Sequence, residues 1–275
     1  GGATSSSASS RARLPASIAA SRTTSSILLG ADTTRLTELF GALGLKWVSD
    51  DHLWFQNARI SAGTTERITN DQFGAVSDAY TGDRYKASYQ VGRHFVTPDL
   101  LDSTHTVTLG YDLVHETFQR LDSTAIIDPS MLEGKHRTAH SLIGEYRGTY
   151  LDQLHLTAAV RHDFNESFAD ITTYSVSGAW QVPNTGTRLH ASVGTGSTNP
   201  TFTEQFGYIP GSFIPNPNLL PETSFGWDIG VEQTLLDGMV TVDATYFNQT
   251  LENEIATIGW MPSTVINETG MSTRQ

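Results

Sequence analysis

Cysteine is missing from all 275 positions, which excludes a disulfide scaffold and any cysteine-based zinc or redox site. Charge is scarce: 17% of residues are charged, against about 25% in ordinary soluble proteins. Lysine is scarcer still, at Lys46, Lys86 and Lys135 alone. Acidic residues exceed basic ones by 29 to 17, for a net charge of −12. No basic stripe is there to hold a nucleic acid. No apolar run approaches the ~18–20 residues of a membrane-spanning helix, so a helical membrane protein is excluded. The chain begins at Gly1 without a signal-peptide pattern, and 270–275 closes no element. It reads as an internal piece of something longer.

Gly, Thr, Ser and Tyr are plentiful instead. Residues 1–48 are poorly patterned, and 1–10 read as disordered. Leu36, Leu39, Phe40 and Leu43 fit either a short amphipathic helix or an irregular strand. From residue 49 to 275 the period is two. Tyr85, Ala87, Tyr89 and Val91 alternate with Lys86, Ser88 and Gln90. Val107, Leu109, Tyr111 and Leu113 alternate with Thr108, Gly110 and Asp112. The same pattern runs through segments near 142–148, 154–160, 174–182, 189–193, 225–231 and 240–246. Two further strands are expected between Asp51 and Asp71. Short turns at Pro98-Asp99, Leu151-Asp152-Gln153, Pro183-Asn184-Thr185-Gly186 and Asp237-Gly238 alternate with longer joins, giving a meander with two distinguishable ends.

Alternation alone also fits a soluble sandwich. The strands, however, are about twice the ~5–6 residues of soluble ones and match a tilted bilayer crossing. Tyr150, Trp180, Trp227 and Tyr246 stand near strand ends, as an aromatic girdle would. The opposite face is polar throughout. The expected fold is all-β: an antiparallel up-and-down transmembrane β-barrel, incomplete, with about 8–10 strands of a larger barrel.

Residues 194–208 carry the run Pro200-Thr201-Phe202-Thr203-Glu204-Gln205-Phe206. Next come Asn216-Pro217-Asn218-Leu219-Leu220-Pro221-Glu222 and a strand ending Gly230-Val231-Glu232. This resembles the TonB-dependent outer-membrane receptors. The family often has an aromatic and a basic residue near Ser197, Thr198 and Asn199, and a basic one where Leu220 stands. The resemblance implies a 22-stranded plugged barrel in the bacterial outer membrane. It implies active uptake of a ferric siderophore, haem or cobalamin, driven by a TonB-type protein through a plug. Neither the plug nor the TonB-contacting box is visible here. The long prolyl loop suits an extracellular position. Phe202, Phe206, Tyr208 and Phe213 are candidate ligand contacts; packing of the loop on itself and on the barrel rim suits each of them as well.

No catalysis, cofactor or metal is expected. On a strand, His136 and His140 stand about 13 Å apart. Asp163, Asn165, Glu166 and Asp170 lack the closing glutamate of a calcium loop and read as a polar turn. The competing readings are a barrel protease or phospholipase and a soluble all-β carbohydrate-binding module.

Overall fold

The computed structural model describes residues 16–29, 32–121, 133–208, 212–268 and 271–274. The stretch 1–10, most of the join after residue 121 and Pro210 lie outside them. Long alternating segments form long strands: β1 (Ala16–Leu29), β2 (Asp32–Val48), β3 (Trp54–Asn70), β4 (Val76–Thr97), β5 (Ser103–Arg120) and β6 (Lys135–Tyr150). They continue as β7 (Leu154–Asn165), β8 (Ile171–Val182), β9 (Thr187–Thr198), β10 (Phe213–Ile214), β11 (Glu222–Leu235) and β12 (Val240–Glu252). The short β13 (Ile255–Ile258), β14 (Ser263–Asn267) and β15 (Met271–Arg274) follow.

One antiparallel sheet of 12 strands runs in sequence order from β1 to β9, then β11, β12 and β15. That exceeds the eight to ten strands expected. The region 51–71 supplies one long strand, β3, rather than two. Residues 32–48 are strand, not helix, and β1 and β2 pair along their whole length as part of the same sheet. Along β2, Leu39, Gly41, Leu43 and Leu45 alternate as a strand should. The apolar Leu36 and Phe40 on its other face made the spacing look helical. Among the described residues the sheet does not close: β12 is paired beyond β11 only over Gln249–Glu252, by β15.

Directly paired residues of antiparallel strands share a face. One rung runs Val107↔Tyr146↔Ala158↔Val176↔Val193↔Trp227 across β5 to β11. Another runs Ile18↔Leu43↔Ile60↔Ala87↔Leu113 across β1 to β5. These rungs lie on one face and form a continuous apolar belt. The belt slides along the strands as it crosses the sheet, which is the signature of strands tilted to a barrel axis. The belt is not packed against protein: Ile60 is 59% exposed, Leu109 60% and Ile229 58%. Among the described residues the buried hydrophobic side chains are Ala79, Phe118, Leu219 and Val265. Such a surface is stable only where hydrocarbon covers it.

The tight end of the meander consists of joins 49–53, 98–102, 151–153, 183–186 and 236–239. Positive φ recurs there, at Leu151 and Asp152 (53° and 54°) and at Asn184 and Gly186 (62° and 66°). Left-handed turns of this kind match the twist of paired strands. In the 49–53 turn the Ser49 hydroxyl and the Leu53 amide donate to the Asp51 carboxylate and hold its pKa below the ordinary value. At the other end three joins are long, after β5, β9 and β12. Those at 71–75 and 166–170 are compact, so the expected strict alternation of short and long does not extend to every turn. The 166–170 join closes through the Asn165 amide donating to Asp170 Oδ1 at 2.9 Å, a polar turn.

Candidate functional site

The face opposite the belt is lined by polar and charged residues. Lys86 Nζ lies 3.0 Å from Asp112 Oδ2, and Arg161 Nη1 reaches the same oxygen at 3.2 Å. Arg161 also donates to Asp163 at 2.8 Å and to the Ser141 hydroxyl at 2.6 Å. Ser141 in turn donates to Asp163. Asp112 is 5% exposed, and a carboxylate so buried requires such partners. One layer closer to the long-loop end, Glu116 accepts from Arg137 at 2.7 Å and lies 3.4 Å from Arg84. This wall is wet by design, as the lumen of a barrel is.

The loop after β9 folds onto that wall. Its short helix α1 (Phe202–Phe206) starts with a capping box. The Glu204 amide donates to the Thr201 hydroxyl, and the Thr201 amide donates to the Glu204 carboxylate at 2.7 Å. The Thr-x-x-Glu spacing thus sets the helix start. Arg137 Nη1 donates to the Pro200 carbonyl at 2.7 Å, and its guanidinium sits 4.4 Å over the Phe202 ring. Phe202 stacks on Phe118, with centroids 5.7 Å apart and planes 5° from parallel. Phe206 lies 6.2 Å from Phe202, with Lys135 Nζ 5.7 Å from its ring. Arg120, buried beside Asp78 at 3.4 Å, donates to the Tyr208 carbonyl. Beneath the loop lies a polar cavity of about 410 Å³, lined by Arg84, Glu116, Arg137, Arg161, Asp163 and Asn199 among others.

The remaining loop is clamped to the join after β12. Phe213 belongs to β10, which pairs with β14, and β14 pairs with β13. Asn216 bridges the pieces: its side-chain nitrogen donates to the Val265 carbonyl at 3.1 Å, and its side-chain oxygen accepts from the Asn218 amide at 3.0 Å. Leu219 is buried, and Glu222 accepts from the Ile255 amide at 2.7 Å. Asn267 exchanges two hydrogen bonds with the Leu220 backbone, at 2.8 and 3.0 Å. The Asn-Pro-x-Leu-x-Pro-Glu run therefore works as a clasp between two loops.

Of the four aromatic residues expected to contact a ligand, the structure brings Phe202 and Phe206 together on the wall and sets Tyr208 just beyond them. Phe213 stands in the separate three-stranded sheet. Sequence reasoning missed Arg120 and Arg137, because the contacts that define them span 88 and 63 residues. Among the described residues no group of three or more His, Asp or Glu side chains is placed to hold a metal.

A comparison with curated proteins finds no significant match. Solved structures do match. The Serratia marcescens hemophore receptor HasR, in complex with HasA and heme, superposes with a TM-score of 0.78 at 14% identity, covering 95% of this chain and 48% of HasR. The siderophore receptor PirA of Pseudomonas aeruginosa gives 0.73 at 16% identity, covering 94% and 48%. A mutant of the ferric enterobactin receptor PfeA, also from Pseudomonas aeruginosa, gives 0.66 at 14%, covering 87% and 40%. The chain thus spans about half the length of these receptors, and at such identities they show the fold. The profile of the family described as "TonB dependent receptor-like, beta-barrel" matches residues 2–273. With its apolar outer belt, charged inner wall and clasped prolyl loop, this chain belongs to the β-barrel family of TonB-dependent receptors of the Gram-negative outer membrane.

Proposed function

We propose that this chain forms part of the barrel of a receptor for active uptake of a large, scarce solute: a ferric siderophore, haem or cobalamin. A TonB-type protein would drive it through a plug carried elsewhere in the receptor, and further strands of the receptor would pair with the outer edge of β1 and with the part of β12 that β15 does not cover. Unpaired edges in hydrocarbon cost several kcal/mol per backbone group, so closure is required. The observation that carries this reading is the loop of α1 folded onto the charged wall above a polar cavity, on a sheet whose other face is apolar. That geometry suits a solute held in water inside a wall that faces lipid. It needs no covalent chemistry.

Within this reading the solute meets Phe206, Tyr208 and Phe213. Phe202 is committed to the wall by Phe118 and Arg137. The test uses the complete receptor in a strain stripped of its other receptors of this kind. A labelled ferric catecholate, ferric hydroxamate, haem and cobalamin are supplied in turn. The expected result is accumulation of one of them, abolished when the TonB-type protein is deleted. Accumulation of none, or uptake that persists without that protein, overturns the proposal.

A further inference from the structure

Charge is divided unevenly along this chain. The joins 71–75, 121–134, 166–170, 199–221 and 253–270, all at the long-loop end, hold nine Asp or Glu residues and no Lys, Arg or His. A solute arriving from that end meets a negative field, which lowers the local concentration of polyanions. The cations stand below, on the inner wall.

There the cavity beneath α1 is lined by three guanidiniums, Arg84, Arg137 and Arg161, and by three carboxylates, Glu116, Asp163 and Glu166. Two of the guanidiniums are taken up by the fold. Arg161 donates to Asp163, to Asp112 and to the Ser141 hydroxyl. Arg137 donates to Glu116 and to the Pro200 carbonyl, lies over the Phe202 ring, and has a side chain only 17% exposed. Arg84 is the most open of the three, its side chain 64% exposed and its Nε 3.4 Å from Glu116 Oε1. Glu116 thus stands between two arginines with one oxygen toward each, and offsets the charge that would otherwise draw an anion to Arg84. The rest of the polar lining is uncharged, with Asn165, Ser167, Ser197, Thr198 and Asn199 offering donors and acceptors.

On the uptake reading above, on which this rests, we propose that Glu116 sets the charge preference of the cavity. The solute it admits is a metal chelate without net negative charge, of the ferric hydroxamate kind. Three hydroxamates cancel the charge of a ferric ion, and their carbonyl groups suit the amides and hydroxyls of the lining. Three catecholates leave the chelate strongly anionic, and haem carries two propionates; neither finds an unmatched cation here, and a charge taken out of water without a partner is costly. A corrinoid with its nucleotide exceeds the drug-sized solute that a cavity of about 410 Å³ takes. Neutralising Glu116 leaves Arg84 and Arg137 without their shared carboxylate, and the preference against anions goes with it.

The test measures binding to the complete purified receptor of one linear ferric tris-hydroxamate in two forms. Its terminal amine is either acetylated, which leaves the chelate neutral, or succinylated, which adds one negative charge; the iron shell is the same in both. At low salt the acetylated form should bind about tenfold more tightly, and the gap should narrow at about 0.5 M salt. Glu116→Gln should bring the two forms within about twofold by strengthening the succinylated one. Arg84→Gln should act the other way and weaken the succinylated form further. A merely structural role for Glu116 would move both forms alike. Heat-modifiable migration verifies that each variant is folded, and Arg84→Gln, at an exposed side chain, carries the test should Glu116→Gln fail. Equal binding of the two forms at low salt overturns the proposal, as does a folded Glu116→Gln receptor that keeps the parent's preference. Binding of a ferric catecholate, haem or cobalamin in place of the hydroxamate overturns it too but leaves the uptake reading standing, whereas binding of none of these solutes overturns both.

Discussion

Along β5, Val107 and Leu109 project outward with no protein to cover them, whereas Asp112, on the other face, is 5% exposed between Lys86 and Arg161. A water-soluble protein would show the reverse, with its apolar side chains enclosed and its charges outside. The two walls come from the same strands and differ only in the parity of the residue number. Each wall is therefore stabilised by a different solvent: hydrocarbon supplies the missing contacts of one, and ion pairs with water supply those of the other.

The largest expected effect comes from placing charge on the wrong wall. Leu109→Arg should destabilise the folded barrel by about 2–4 kcal/mol, as charge on a lipid-facing midplane position does. The neighbouring Thr108→Arg, on the inner wall, should cost far less. Urea titration of the complete receptor in lipid vesicles measures both, and equal losses would break the distinction between the walls. A smaller effect is expected inside. Asp112→Ala leaves Lys86 and Arg161 without their shared partner; both are more than a third exposed, so water screens part of the loss and about 2 kcal/mol is expected in the same titration. The smallest effect concerns the loop rather than either wall. Thr201→Ala removes the cap of α1 and should cost about 1 kcal/mol, seen as faster hydrogen exchange of the Glu204 and Gln205 amides with the barrel's own stability unchanged.

The fold was legible wherever one wall is cleanly apolar and the other cleanly polar, as from Tyr85 to Tyr246. It blurred where the inner wall also carries apolar residues. Phe40 and Leu36 sit on that wall in β2, and their spacing to Leu39 and Leu43 imitates a helix. Periodicity reports a face only when the other face contrasts with it. The loop was legible as a motif but not as a mechanism. Thr201 and Glu204 are three residues apart, so their capping box can be read from spacing. Arg137 cannot be tied to Pro200 and Phe202 that way, since the fold alone brings them together across 63 residues. The Asn216 clasp is of the same kind, its partner Val265 lying 49 residues away.

The most direct measurement of the central claim labels β5 one position at a time; these 275 residues hold no cysteine, and any elsewhere in the receptor is first replaced by serine. Single cysteines placed in turn at 106 through 113 of the complete receptor, each spin-labelled, report collisions with dissolved oxygen and with a water-soluble nickel complex. The account predicts a period of two, with oxygen access highest and nickel access lowest at 107, 109, 111 and 113, and the opposite ratio at the even positions. A profile without that alternation, or with oxygen access peaking at 108, 110 and 112, would contradict it.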